Sequence, residues 1–431
     1  MSLPPRRLIG DAALALLAAA PLAWACLGAG GPALLFLGRA AAVLGLALLL
    51  LAAMISARIP GLDLWFGGLT RLWRLHHLLG AASFLLLMAH PLLLSFAAAR
   101  FSVSAASAVL FPGPSAWGVW AGWAALAAMA GFLAPTFSFF GAPEYQRWKS
   151  LHALSGAAIA LGLAHALASG ALLTGAAARA WWGSYGALAL LAFAWRAFAA
   201  RRFARKGYTV AAANAAGRGV VELTLRPDGR LLERRPGQFV YLTPLDTSLA
   251  AGRGEEHPYT LSSAPDEPVL RVVVKDLGDA SRALQSVAVG SRALVEGPFG
   301  EFFPRGGAGA PELWIAGGVG LTPFLSRVRE LGPSRPVDAH LVYCVQDETR
   351  AHFRAELEAA AARFPGFRLS MHYFAQEGPL TAAFLRTRCP DAARRAAFVC
   401  GPPALIAAAR TELRRAGVPA SRVHAEDFNW L

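Results

Sequence analysis

The sequence has few cysteines, and none of them lies close enough to another to form a framework. The four cysteines share no CxxC spacing, so they indicate neither a zinc site nor a disulfide scaffold. An iron–sulfur cluster, which needs four clustered thiolates, is excluded as well. Lysine occurs only at positions 149, 206 and 275, and the heavy use of alanine and arginine is typical of a GC-rich bacterial genome.

Charge is scarce as well, and acidic charge is scarcest in the first half. Charged residues make up 16% of the chain and apolar residues 55%, whereas soluble domains carry roughly 25% charged residues. This composition excludes a disordered chain and argues against an ordinary cytosolic enzyme. The net charge of +14 could suit nucleic acid. However, only Asp11, Asp63 and Glu144 of the 27 acidic residues precede position 207, so two different kinds of chain are joined there.

Six apolar stretches in the first 206 residues are long enough to cross a hydrocarbon core, which needs about 20 helical residues. They lie near 8–27, 33–57, 72–98, 116–140, 148–172 and 180–200. Basic residues concentrate on one side of these stretches, in the segments around positions 6, 58, 71–74, 147–149 and 201–206. By the positive-inside rule we expect a multi-pass protein of the cytoplasmic membrane with both termini in the cytoplasm.

Four histidines lie inside two of these stretches, where ionisable residues are costly and usually functional. His76 and His90 are 14 residues apart on the third stretch, and His152 and His165 are 13 apart on the fifth. Fourteen helical residues bring a side chain back to within about 40° and displace it by roughly 21 Å. Thirteen residues leave it about 140° away, so a local helix irregularity is required.

The third and fifth stretches run in the same direction, so the histidines form two levels. His76 lies level with His152 near the cytoplasmic face, and His90 lies level with His165 near the outer face. Two neutral imidazoles at one level are the ligand set of a bis-histidine haem. The alternatives are hydrogen bonds between helices or a proton path, and four histidines at matched depths disfavour both. His77 remains an alternative to His76 as the inner ligand.

Short β-runs and turns replace the apolar stretches after residue 206. Strands are predicted at 220–225, 238–242 and 270–275, with turns at 227–229 and 235–237. Residues 257–263, HPYTLSS, combine a cation, an aromatic ring and a hydroxyl group on one predicted strand. Such a strand can stack on a flat ring, bond its edge and hold a phosphate. An ordinary turn-rich strand is the alternative.

From about residue 311 strands and helices alternate. Strands are predicted at 312–316, 339–344, 367–373 and 397–400, and helices at 324–331, 351–364 and 403–416. The alternation predicts a parallel, doubly wound sheet. The first strand runs into a glycine-rich turn at 317–323, GGVGLTP, which lacks strict GxGxxG spacing. Glycines at such a turn let backbone N–H groups approach a pyrophosphate.

These motifs together resemble the ferric reductase and NADPH oxidase superfamily. The resemblance covers the whole chain and rests on the histidine quartet together with RPGQF at 235–239, HPYTLSSAP at 257–265, GPFG at 297–300, GGVGLTPF at 317–324, CGPP at 400–403 and EDFNW at 426–430. It implies a six-helix di-haem membrane domain at 1–206, an antiparallel β-barrel FAD domain at 207–305 and an α/β NAD(P)H domain at 306–431.

The resemblance also implies a role for each group of residues. His76 with His152 would bind the inner b-type haem, and His90 with His165 the outer one. The FAD site would comprise His257, Pro258, Tyr259, Thr260, Ser263, Lys275, Gly278 and Ser281. The NADH or NADPH site would comprise Gly317, Gly318, Gly320, Thr322, Pro323, Gly401 and Pro402.

Other residues would act at the reacting groups themselves. The resemblance implies that Cys400 lies near the nicotinamide and that Trp430 covers the flavin, with Phe428 as the alternative cover. Arg39, in the second stretch, matches an arginine that the oxidases place beside the outer haem. Gln346 stands where NADPH-preferring relatives often carry an arginine for the 2′-phosphate, and Arg350 is the candidate replacement, so both NADH and NADPH are considered.

The expected activity is electron transfer from NAD(P)H through FAD and two haems to an acceptor outside the membrane. Three acceptors stay open: a ferric chelate, which we favour; dioxygen, which Arg39 favours; and a partner protein. A flavin reductase merely anchored in the membrane is a fourth alternative. No nucleic acid partner is expected.

Overall fold

The computed structural model describes residues 5–27, 32–59, 61–136, 145–170, 176–303, 310–332, 335 and 337–426. These residues divide into two compact units. The membrane unit contains 5–59 and 71–201, and the reductase unit contains 61–70 and 202–426. Each unit has its own buried core and is described by itself.

The membrane unit is built from helices. They are α1 (Pro5–Leu27), α2 (Ala33–Ile55), α3 (Leu69–Ala99), α4 (Val103–Leu110), α5 (Trp117–Leu133), α6 (Tyr145–His152), α7 (Leu154–Ala168), α8 (Ala176–Ala194) and α9 (Ala200–Phe203), with a π-helical turn at Trp195–Ala199. Helix α2 contributes the largest buried set of this unit, because every residue from Gly45 to Ala52 is buried. It is therefore the central helix.

Three helical segments of the described residues are long and apolar enough to cross a membrane: Ala33–Ile55, Leu69–Ala99 and Arg147–Ala168. Helix α5 is apolar but shorter, and the end of its predicted span at 137–140 lies outside the described residues. The count of six spans therefore stays a prediction. The short helix α4 was not predicted.

The fifth predicted span contains the irregularity that its histidine spacing requires. Helix α6 ends at His152 and α7 begins at Leu154, with a turn at Ala153 between them. This turn interrupts the helix between His152 and His165, the interval over which a single straight helix would leave the two side chains on different faces.

One face of α3 exposes leucines at heptad spacing. The side chains of Leu78, Leu85 and Leu92 are 64%, 68% and 47% exposed, whereas Ser83 on the other side of the helix is fully buried. Large apolar side chains that recur along one helix face in contact with nothing else are typical of a surface covered by lipid. The face supports a membrane location for this unit.

The first sheet of the reductase unit is antiparallel. Its strands are β1 (Arg205–Gly217), β2 (Val220–Pro227), β3 (Phe239–Pro244), β4 (His257–Thr260), β5 (Leu270–Lys275) and β6 (Arg292–Phe299), in the order β4-β3-β6-β1-β2-β5. The sheet curls until Leu261, just after β4, bridges Val272 of β5. The structure thus shows a curled sheet, and a closed barrel stays a prediction. Strand β1 was missed, and it begins two residues before the predicted boundary at 207.

The second sheet is parallel. Its strands are β7 (Glu312–Gly317), β8 (Ala339–Val345), β9 (Phe367–Tyr373), β10 (Ala396–Cys400) and β11 (Val423–Glu426), in the order β11-β10-β7-β8-β9. The helices of the reductase unit are α10 (Asp279–Ala283), α11 (Thr322–Arg329), α12 (Arg354–Arg363), α13 (Phe374–Glu377), α14 (Ala382–Arg388) and α15 (Pro403–Arg415).

Alternate residues of the parallel strands belong to two separate cores. Trp314 and Ala316 pack with Phe324 of α11, whereas Leu313 and Ile315 pack with the helices on the opposite face. Both faces are therefore covered, which confirms the doubly wound arrangement. The predicted helix at 351–364 begins later, at Arg354, because Phe353 has a left-handed φ of 61°.

A buried arginine ties the parallel sheet together. Arg395 is 2% exposed and donates to the backbone carbonyls of Glu312 and Asp338. It also donates to the carboxylates of Asp338 and Asp391, at 2.8 and 2.7 Å. The bond to Arg395 holds the pKa of Asp391 well below its usual range. The network joins the start of β7, the loop before β8 and the loop before β10.

Replacing Arg395 with alanine should destabilise the protein by about 2 kcal/mol, because two backbone carbonyls and two carboxylates each lose a hydrogen bond from the guanidinium. Thermal unfolding of the purified protein measures this. Arg368→Ala is the matched control, since Arg368 is 45% exposed and reaches the same two aspartates only at 3.7 and 4.0 Å. Its loss should cost less than about 0.5 kcal/mol. Equal shifts for the two variants would contradict this account.

Candidate functional site

The membrane unit brings its four histidines together in two pairs. The ring centroids of His76 and His152 are 6.0 Å apart, and those of His90 and His165 are 6.2 Å apart. Both pairs have the same angle of 63° between ring planes. The pairing is the one that the sequence predicts from parallel helices.

Backbone carbonyls hold three of the four rings through Nδ1. The Nδ1 atom of His76 lies 3.0 Å from the carbonyl oxygen of Ala52, that of His90 lies 2.9 Å from Gly38, and that of His165 lies 2.7 Å from Gly118. Each of these bonds makes Nδ1 the protonated nitrogen, because a carbonyl only accepts. The Nε2 lone pair is then available to a metal.

The pair distances fit an iron atom between the rings. A metal–imidazole bond of about 2 Å, plus about 1.1 Å from the nitrogen to the ring centroid, separates two axial rings by about 6.2 Å. Among the described residues, no hydrogen bond to Nε2 of the four histidines is found. No protein donor in this part of the chain therefore competes with a metal for these nitrogen atoms. The donor set therefore fits two haems.

The remaining residues predicted at this site differ in their surroundings. The Nδ1 atom of His152 is buried without a partner in the described part of the chain, and its ring lies against Phe132 at 5.0 Å. The exposed His77 ring lies beside His76, and of these two rings it is His76 that lies edge-on to His152. Arg39 is exposed and directly follows Gly38, the residue that bonds His90.

In the reductase unit, the HPYT segment is the edge strand β4. Among the described residues it forms a ladder only with β3, and its other edge is unpaired as far as Leu261, which bridges Val272 of β5. Strand alternation places His257 and Tyr259 on one face and Pro258 and Thr260 on the other. The His257 ring lies 3.3 Å from the Glu255 carboxylate. Burial raises the pKa of Tyr259, so its hydroxyl stays a donor.

A hydrogen bond joins two of the predicted motifs beside this strand. Gln238 of RPGQF donates from Nε2 to the carbonyl of Gly300 in GPFG, at 3.3 Å. The N–H of Gly300 donates to the carboxylate of Asp63, at 3.1 Å. Burial raises the pKa of Asp63, and the Gly300 bond opposes that shift. No sequence motif marks Asp63 as part of this site.

The predicted phosphate side of the flavin site is a tight loop after β5. Lys275, the last residue of β5, is exposed. The hydroxyl of Ser281 accepts from the N–H groups of Leu277 and Gly278, at 2.9 and 3.0 Å. Ser263 is buried, and its hydroxyl accepts from the N–H of Arg271 at 3.1 Å. Ser263 and Ser281 are therefore held by their own loops.

The two glycine-containing turns of the nucleotide domain touch each other. Gly317 ends β7 and Gly401 follows β10, its neighbour in the sheet. A Cβ on Gly401 would lie 3.0 Å from the Cα of Gly317. A Cβ on Gly320 would overlap the carbonyl of Cys400 and lie 2.6 Å from the Cα of Gly401. Gly318 has a left-handed φ of 54°.

These turns lie at the carboxyl edge of the parallel sheet, where such sheets bind ligands. Thr322 begins α11 and donates to the carbonyl of Val319 at 2.6 Å, with Pro323 in the first turn of the helix. Pro402 precedes α15. Cys400 ends β10, is 3% exposed, and burial raises the pKa of its thiol. The thiol is therefore neutral and not a nucleophile.

A partly buried arginine, not foreseen from the sequence, joins the two domains of the reductase unit. Arg329 of α11 bonds the carboxylate of Glu222 on β2 at 2.7 Å and the carbonyl of Ser262 at 3.1 Å. It also bonds Glu356 of α12 at 2.7 Å. Because Ser262 follows β4 closely, this bond links the HPYT strand to the helix that starts at the glycine-rich turn.

Four further predicted residues are the two aromatic residues of the C-terminal motif and the two residues considered for the nucleotide 2′-phosphate. Trp430 and Phe428 lie outside the described residues. Gln346 and Arg350 are exposed, and the Arg350 guanidinium lies 4.0 Å from the Asp347 carboxylate. The choice between NADH and NADPH stays open on this geometry.

Three families match consecutive parts of the chain. Residues 41–163 match a ferric reductase like transmembrane component, 205–303 match an FAD-binding domain, and 314–411 match an oxidoreductase NAD-binding domain. The first range contains three of the four histidines and ends just before His165. The second contains β4, and the third contains both glycine turns.

Several curated proteins are similar to part of the chain. The glycine betaine monooxygenase reductase subunit of Chromohalobacter salexigens is 31% identical over 211 residues, which cover 45% of this chain and 56% of the relative. A 3-ketosteroid-9-alpha-monooxygenase ferredoxin reductase component of Mycolicibacterium smegmatis is 33% identical, over 46% of this chain and 57% of the relative. The chain thus spans little more than half the length of these relatives.

Among solved structures, the FAD/NAD-binding domain of nitric oxide dioxygenase from Vibrio cholerae matches with a TM-score of 0.46 and 24% identity. The match covers 52% of this chain and 98% of that one.

The matched domains define a membrane protein with a flavin- and nicotinamide-binding reductase module, which is an NAD(P)H-dependent oxidoreductase. The order of the three domains is the fused architecture of the ferric reductase and NADPH oxidase superfamily, and the chain has that architecture.

Gly320→Ala should weaken nucleotide binding, because the new methyl group would push the two glycine turns apart. We expect the KM for NADH or NADPH to rise by about tenfold, equivalent to about 1.4 kcal/mol. Steady-state reduction of ferricyanide measures it. Gly332→Ala in the same domain is the control, since a Cβ there meets no heavy atom of the described residues within 4 Å. An unchanged KM in the Gly320 variant would refute this role of the turn contact.

Proposed function

We propose that the protein carries electrons from cytoplasmic NAD(P)H through FAD and two b-type haems to an acceptor outside the membrane. The observation that carries this proposal is that the four histidine rings lie in two pairs, with centroid distances of 6.0 Å in one pair and 6.2 Å in the other. Bound FAD would accept a hydride and release single electrons, which haem can carry and a nicotinamide cannot. The chain's own residues would hold these groups in position.

On the haem side, we assign His76 and His152 to the inner level and His90 and His165 to the outer level. The carbonyls of Ala52, Gly38 and Gly118 fix three of these rings with Nε2 left for iron. A hydrogen bond at Nδ1 also raises the basicity of the ligand, which stabilises ferric iron. Hydrogen bonds between helices alone would not require two imidazole rings to lie about 6 Å apart at each of two levels.

On the reductase side, we assign the flavin to the open edge of β4. His257, Pro258, Tyr259 and Thr260 would contact its ring and phosphates, and Ser263, Lys275, Gly278 and Ser281 would border the phosphate side. Gly317, Gly318, Gly320, Thr322, Pro323, Gly401 and Pro402 would hold the nicotinamide nucleotide. Cys400 would lie near the nicotinamide, as a neutral thiol that packs rather than reacts. Trp430, or else Phe428, would cover the flavin.

The orientation follows from the basic residues that connect the helices. We propose a multi-pass protein of the cytoplasmic membrane with both termini inside, because the basic segments around positions 58, 71–74, 147–149 and 201–206 fall on one side of the apolar helices. The reductase unit would then meet cytoplasmic NAD(P)H.

The acceptor that we favour is a ferric chelate. Electron delivery to a partner protein is the second candidate, because the similar proteins are named as reductase components of oxygenases. Dioxygen is a third candidate: Arg39 is exposed and adjacent in sequence to the carbonyl that bonds His90, and a cation there would stabilise a developing anion.

Alanine at any of the four histidines should remove haem from one level only. We expect His76→Ala or His152→Ala to lose one haem, and His90→Ala or His165→Ala to lose the other, each leaving about half of the b-type absorbance. The pyridine haemochromogen assay of the purified protein measures this. His77→Ala is the matched control and should keep both haems. Full haem content in the four variants would exclude the proposed ligands.

Three assays on the purified protein in lipid nanodiscs should separate the acceptors. With NADH or NADPH we expect ferric-chelate reduction to exceed superoxide formation. His90→Ala should abolish the chelate activity while ferricyanide, reduced directly at the flavin, is still consumed. Dominant superoxide formation would favour dioxygen. Reduced haems with neither small acceptor consumed would favour a partner protein.

A further inference from the structure

The bonds from α3 to α2 form a ladder with a constant step. His76 bonds the carbonyl of Ala52 at 3.0 Å, Ser83 bonds that of Gly45 at 2.7 Å, and His90 bonds that of Gly38 at 2.9 Å. Donors on α3 and acceptors on α2 both recur every seven residues, in opposite directions. Residues seven apart share a helix face and are about 10.5 Å apart along the axis.

Small residues on α2 make these carbonyls accessible. A Cβ on Gly38 would lie 2.8 Å from Leu94, and a Cβ on Gly45 would lie 2.8 Å from Leu87. Either side chain would force α3 away from α2. Because a carbonyl oxygen has two lone pairs, it can accept a side-chain donor besides its helical N–H. The close approach therefore gives each rung its acceptor.

Ser83 is the middle rung and lies at neither haem level. Its side chain is fully buried, and a buried hydroxyl is costly unless it is bonded. If α3 slid along α2, the hydroxyl would lose its carbonyl, and both imidazoles would leave theirs. A single polar side chain in an apolar helix contact is a known way to fix register.

We propose that Ser83 is a positioning residue that sets the register between α2 and α3 and so orients both ligand rings at once. The inference rests on the proposed haem ligation by His76 and His90. A residue that contacts a single histidine would affect one haem only. A substitution at Ser83 should instead alter the surroundings of the inner and the outer haem together.

The test compares an isosteric pair in the full-length protein. Ser83→Thr keeps a hydroxyl group, and Ser83→Val replaces it with a methyl group. Low-spin electron paramagnetic resonance of the two ferric haems and their midpoint potentials are measured, with haem content. We expect Ser83→Val to shift both signals and raise both potentials, because looser Nδ1 bonds make poorer donors. Ser83→Thr should match the wild type.

Ser95→Ala is the matched control. Ser95 is on the same helix, is nearly buried and also donates to a backbone carbonyl, at 3.0 Å, but its acceptor is Ala106 and not α2. This variant should keep both haem signals. A shift like that of Ser83→Val would show that any serine bond on α3 suffices, and it would overturn the proposal.

The remaining outcomes also decide the question. Loss of both haems in Ser83→Val with retention of both in Ser83→Thr supports the proposal. Identical behaviour of the Val and Thr variants, or a change at one haem alone, overturns it. If the wild-type protein binds no haem, the proposed function fails. If it binds two and Ser83→Val leaves both unchanged, only the role of Ser83 fails.

Discussion

The hydrogen bond between an imidazole Nδ1 and a helix carbonyl is the interaction on which the membrane unit depends. In an apolar surrounding a polar nitrogen must find a partner inside the protein. The carbonyl of Ala52 or Gly38 provides it, and the same bond leaves Nε2 pointing away from α2. This one hydrogen bond gives the partly buried ring a partner, fixes the proton on Nδ1 and leaves the lone pair of Nε2 available. Glycine at 38 makes it possible, because the helices approach closely there.

In the reductase unit the corresponding constraint is the contact between the two glycine-containing turns. Parallel strands β7 and β10 end side by side, and the turns after them touch through Gly317, Gly320 and Gly401. Side chains at these positions would separate the turns. The bonds of Arg329 then connect the helix that leaves the first turn to the segment that follows β4. The glycine-rich turn and the segment after β4 are therefore connected through Arg329.

Each feature that the sequence does not predict has an identifiable physical cause. Helix α12 begins at Arg354 rather than 351 because Phe353 takes a left-handed conformation, which no propensity for phenylalanine predicts. Strand β1 follows directly on the basic residues after the last membrane helix, so Arg205 was assigned to a membrane boundary. The bond between Asp63 and Gly300 joins residues 237 positions apart, and no local pattern marks such a contact.

The sequence alone determined the two-part organisation, the apolar helices, the parallel sheet and the histidine spacing. Each of these follows from composition or from the spacing of residues that are close together in the sequence. The sequence also required a break in the fifth span, which the turn at Ala153 provides. Only the tertiary structure decided that His76 rather than His77 faces His152, and that Ser83 bonds Gly45. Helix rotation and register come from packing between distant segments, where a glycine or a carbonyl on one helix selects the residue that meets it on another.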